Sequence, residues 1–142
     1  MKHWRIMLIT AFILSAAGAY TCEFSYILTG ADGSSQSLRP GTDIHLDQGE
    51  TYTLIVTFTE DHRNCKIAPE DTDFLLDEEK WRTSKDYLTL KLIDRIIWHD
   101  LDSRRYTAKI SFRATVTGTC ELEVIRDCDK GGYDEILRFI ID

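Results

Sequence analysis

The sequence is short of the motifs that catalysis usually leaves behind. It has no Gly-x-Ser-x-Gly elbow, no glycine-rich phosphate loop and no His-Glu-x-x-His pair, so it offers no recognisable nucleophile, nucleotide cradle or zinc-protease centre. No Cys-x-x-Cys occurs, the spacing at which redox proteins usually hold a reactive pair. There are only 2 prolines among 142 residues, and nothing is repeated or low in complexity. The single asparagine, Asn64, is followed by Cys-Lys, so the chain has no N-glycosylation sequon, which leans toward a bacterial envelope. Basic residues are in deficit, 17 against 24 acidic, for a formal charge of -7. That balance argues against nucleic acid and anionic membranes, whose phosphates would repel the surface.

Long apolar runs are absent with one exception, at the start. Lys2, His3 and Arg5 precede an apolar stretch from Ile6 to Ala17, broken only by Thr10 and Ser15, and Ala17-Gly18-Ala19 closes it. A basic head, a short apolar middle and a small-residue exit predict a secretory signal over residues 1–19. The run falls well short of the roughly twenty residues that span a bilayer. Tyr20 spoils the small-residue box that lipidation of Cys22 would need. The expectation is a secreted or periplasmic chain cleaved near Ala19, with no membrane insertion afterwards and a single domain over residues 20–142. Losing Lys2 and Arg5 makes it more acidic still.

What is present is alternation. Tyr52, Leu54, Val56 and Phe58 alternate with threonines, and Tyr106, Ala108, Ile110, Phe112 and Ala114 repeat the pattern. Cys120, Leu122 and Val124 do the same, as do Leu88, Leu90 and Leu92. Period two with β-branched and aromatic enrichment predicts strands with one face on a core. About seven are expected: 23–29, 42–47, 51–59, 87–98 with a break near Asp94, 106–115, 119–127 and 133–141. Turn signals separate them at Gly30–Ser35, Arg39–Asp43, Asp47–Glu50 and Asp129–Gly132. The fold class expected is all-β, an antiparallel two-sheet sandwich, with a closed barrel as the rival. The step Tyr106-Thr107-Ala108 resembles the tyrosine corner of immunoglobulin-like sandwiches, with Ala108 where that family has cysteine and no cysteine at the usual distance before Trp98. The resemblance implies fold alone.

One stretch, 60–86, lacks alternation. Pro69, Glu70 and Asp71 look like a helix start, and Phe74, Leu75 and Trp81 follow at i, i+1 and i+7. A short helix over 70–81 is expected inside an insertion near 66–82, anchored by Phe74 and Trp81.

The cysteines Cys22, Cys65, Cys120 and Cys128 are even in number, and in an oxidising compartment they read as two disulfides. Buried free thiols are the alternative. Cys120 and Cys128 on one strand would lie about 26 Å apart, against a limit of about 7 Å for a disulfide. If successive strands alternate in direction, Cys65 shares an end with Cys120, and Cys22 with Cys128. The expected bridges are therefore Cys65–Cys120 and Cys22–Cys128.

Other candidates have plain readings beside the functional ones. His62 near Cys65 is half a zinc site with no second pair to complete it. The acidic cluster Glu70, Asp71, Asp73, Asp77, Glu78 and Glu79 could hold calcium but lacks the glycine of an EF-hand loop, and reads better as a solvated helix face. Asp127, Asp129 and Asp134 suit an ordinary turn. His45 and His99 have no evident nucleophile to serve. Phe74, Trp81, Tyr87 and Trp98 form a candidate binding patch, since aromatics dominate hot spots, and serve equally well as core. No catalytic residue, metal or cofactor is assigned. The reading is a non-catalytic extracytoplasmic binding module whose partner is another extracytoplasmic protein, using one sheet face or the 60–86 insertion. A carrier of a small apolar ligand between the sheets is the alternative, and an enzyme or thiol-redox protein the second.

Overall fold

A computed structural model describes residues 22–60, 66–83, 85, 86, 88–128 and 131–142. The expected signal peptide and the positions Cys65, Tyr87, His62 and Asp129 lie outside the described residues.

The chain is an all-β sandwich. In order it forms β1 (Glu23–Thr29), β2 (Ser35–Leu38), β3 (Asp43–Leu46) and β4 (Thr51–Thr59). A single 3-10 turn, Pro69–Asp71, precedes β5 (Asp73–Leu76) and β6 (Glu79–Lys80). Then come β7 (Leu90–Leu92), β8 (Trp98–Asp102), β9 (Arg105–Ala114), β10 (Gly118–Arg126) and β11 (Tyr133–Ile141). One sheet runs β2-β1-β4-β9 and ends in β7 and β8, both paired with β9. The other runs β3-β11-β10-β5-β6.

The long strands follow their alternation. Leu54, Val56 and Phe58 on β4 and Ala108, Ile110 and Phe112 on β9 are fully buried, as are Leu122 and Val124 on β10 and Leu137 and Phe139 on β11. The sheets meet through aromatic edges, with Phe112 of one 6.0 Å from Phe139 of the other. This offset geometry suits the ring quadrupoles.

Two expectations need correction. The helix over 70–81 does not form. Pro69 starts only one turn, with Asp71 and Thr72 N–H groups donating to Ala68 and Pro69 carbonyls. The next residues then alternate, Phe74 and Leu76 inward and Asp73 and Leu75 outward. Asp77 and Glu78 turn the chain back with φ of 47° and 69°, a left-handed pair that matches strand twist. The apolar spacing read as helical is a hairpin pairing: the Trp81 N–H donates to the Phe74 carbonyl at 2.9 Å. Second, the sandwich is not wholly antiparallel, because β3 pairs parallel with β11, Ile44 beside Phe139.

The expected Cys65–Cys120 bridge involves Cys65, which lies outside the described residues; Cys120 itself is buried on β10. No disulfide bond forms among the described residues.

Candidate functional site

The sandwich leaves one long side where the sheets end in short strands. There the β5–β6 hairpin faces β7 and β8, and the chain between these two, 93–97, leaves the sheet. A cleft of about 420 Å³ lies in this gap, in the range of small binding sites. Phe74, Trp81 and Trp98 line it, joined by Leu92 and Ile96. Three of the four aromatics expected to form a patch are thus brought together.

Each wall has a local cause. Phe74 and Trp81 face inward as partners across the hairpin, and both are buried. Trp98 opens β8 opposite Ala108, where the small side chain leaves room for an indole. The Phe74 and Trp98 rings stack at 6.3 Å, and Trp81 meets Phe112 at 5.5 Å, so each pair joins the two sheets. Core and cleft are continuous here.

Polar side chains share the lining, Thr72 and Thr83 among them. Trp81 is 3% exposed, and its Nε1–H has no hydrogen-bond acceptor among the described residues. Such a donor costs about 1–3 kcal/mol when buried unmet. Around the mouth lie Lys80, Arg82, Arg95 and Glu70. Lys80 is committed to Asp73 at 2.6 Å. Arg82 and Arg95 are exposed, and neither forms an ion pair among the described residues. Sequence reasoning missed both arginines together with Leu92 and Ile96, since only the β5–β6 hairpin and the 93–97 departure bring them to one place.

The other candidates are placed elsewhere. Among the described residues no three His, Cys, Asp or Glu side chains gather as a cation site. In the acidic stretch, Asp73 and Glu79 pair with Lys80 and Lys85, and Asp77 accepts the Glu121 N–H. His45 meets Asp142 at 2.9 Å on the surface. Burial pushes the Cys120 thiol up to about 11, against the lowering effect of its hydrogen bond with Thr89, which leaves it a poor nucleophile at neutral pH.

A second, larger concavity of about 620 Å³ is lined by Cys22, Phe24, Arg126, Cys128, Gly132 and Tyr133. Burial, then the Tyr133 hydroxyl at 3.0 Å, raises the Tyr26 phenol well above its ordinary value. Arg126 is 1% exposed, with its guanidinium carbon 4.2 Å from the centre of the Phe58 ring. It donates to the carbonyls of Ile67 and Ala68 and to the Thr72 hydroxyl, and so holds the start of the 66–72 segment on the core.

The chain matches no protein-family model and no curated protein. Among solved structures it is similar to one described as the solution structure of Amebosin, at 13% identity, over 72% of this chain and 90% of that one, with a TM-score of 0.38. A likeness that slight carries neither fold nor function.

Proposed function

We propose that this protein is a non-catalytic binding module acting outside the cytoplasm, secreted or periplasmic, which takes a protein partner in the aromatic cleft between β6 and β8. The cleft walled by Phe74, Trp81 and Trp98 carries the reading, with a buried Trp81 indole N–H that has no acceptor among the described residues. Native folds rarely bury a donor without an acceptor, and a partner's carbonyl or carboxylate oxygen would supply one. The aromatic walls fit this role, since hot spots favour tryptophan beside a packed interior. The tight interior, where Phe58, Phe112 and Phe139 are fully buried, favours recognition at an edge over a ligand held between the sheets.

Export rests on the basic head and apolar run of residues 1–19. With export goes a Cys22–Cys128 crosslink made once the chain meets an oxidising compartment; the two residues are not disulfide-bonded to each other in this structure but line one concavity. In a chain-entropy estimate such a link, closing a long loop, contributes about 2–4 kcal/mol.

Affinity capture from the producing organism's secretome tests the reading. Residues 20–142 should retain a partner that Trp98→Ala loses while its circular dichroism stays unchanged. Equal capture by both would remove the cleft as the contact surface. Deleting 66–82 is a poor probe, because β5 and β6 belong to the sheet and Phe74, Leu76 and Trp81 to the core.

A further inference from the structure

We infer that the cleft recognises an extended acidic segment of the partner, in which one aromatic or large aliphatic side chain enters between Trp81 and Trp98 and flanking carboxylates meet Arg82 and Arg95. The inference rests on the binding reading above and names the chemistry that would fill the site.

Three observations combine. Phe74, Trp98, Leu92 and Ile96 present apolar walls beside Thr72 and Thr83, and the buried Trp81 Nε1–H is a donor with no acceptor among the described residues. A guest must therefore be apolar in the middle and bring an acceptor. Next, Lys80, the third basic side chain at the cleft, is paired with Asp73, and elsewhere on this acid-rich chain Lys91 pairs with Asp86 and Arg105 with Asp102. Arg82 and Arg95 stand at the mouth without such a carboxylate, and Glu70 is the one acidic residue lining the cleft. The charge at the rim thus complements a negative guest, in contrast to the chain as a whole. Finally, sheet edges flank the cleft. β6 ends one sheet, and β7 and β8 end the other. Edge strands offer unpaired backbone groups to an extended polypeptide, the usual mode of strand addition, with a pocket beside them to select a side chain. A protein segment uses the edge, the pocket and the rim together.

The test is nitrogen-15 NMR of residues 20–142, which hold two indole N–H groups, those of Trp81 and Trp98. Trp81→Phe assigns the cross-peak by deleting it. The probes are three amidated and acetylated pentapeptides with central phenylalanine, flanked by glutamates, by glutamines or by lysines. The glutamate peptide should move the Trp81 indole cross-peak saturably, and the lysine peptide should not. The double variant Arg82→Gln, Arg95→Gln, two surface changes, should weaken the glutamate peptide about tenfold and leave the glutamine peptide unchanged. If the glutamine peptide binds as tightly as the glutamate one, the acidic preference is wrong and the cleft reading survives. Should none of the three move the cross-peak at millimolar concentration, both fall.

Discussion

Two side chains with nitrogen donors are buried against aromatic rings in this protein, and they end differently. Arg126 lies over Phe58 and hands its guanidinium hydrogens to the Ile67 and Ala68 carbonyls and the Thr72 hydroxyl. Trp81 lies against Phe112 with an indole N–H that has no acceptor among the described residues. The first arrangement is architecture, because the chain supplies acceptors for the terminal guanidinium nitrogens. The second has no such tie, and its ring lines a cleft. Burial is common to both, and what separates them is how far the chain itself holds the buried group.

The comparison can be broken most sharply at Arg126. Arg126→Met keeps the apolar stem and strands its acceptors, and is expected to cost about 3 kcal/mol in urea unfolding of residues 20–142. A loss below about 0.5 kcal/mol would mean the guanidinium holds nothing. Cys120 provides the next effect, as a buried donor that can be titrated. Its folded value is raised, so its contribution is fully present below the unfolded value of 9.0 and is lost as pH climbs toward about 11. That loss amounts to about 2 kcal/mol, at roughly 1.4 kcal/mol per pH unit. Cys120→Ala should flatten this part of the alkaline profile, and an unchanged slope would place its cause elsewhere, with Tyr26 the next group to examine.

Smaller still is Trp81→Phe. It removes an unmet donor along with ring volume, two changes of opposite sign, so stability should move by less than about 1 kcal/mol. A loss as large as that of Arg126→Met would erase the distinction between the two side chains. Last, Glu78→Gly relieves a left-handed residue in the turn that presents Trp81, and is expected to stabilise the fold by about 0.5 kcal/mol, read as a higher urea midpoint. Destabilisation instead would show that the Glu78 conformation is not under strain.

Much of the fold was legible because β1, β4, β9, β10 and β11 carry period two over seven to ten residues, long enough to exclude a helix. The β5–β6 hairpin was not, for a local reason. Its turn residues, Asp77 and Glu78, are neither the asparagine nor the glycine that such a turn favours. Ahead of them Pro69-Glu70-Asp71 carries a helix-start signal that the chain uses for a single 3-10 turn. The cleft was legible in part. Phe74, Trp81 and Trp98 stood out as large aromatics, whereas Arg82 and Arg95 differ from other surface arginines only through topology.

The last strand has a consequence for the order in which the fold can form. β11 sits inside its sheet, between β10 and β3, so Phe139 must find both Cys120 and Ile44. Until residue 141 has been synthesised, two strand edges stay bare and half of the interior has no lid. Closure of this sheet therefore waits for β11, the strand that joins its two neighbours, and contacts so far apart in sequence form late.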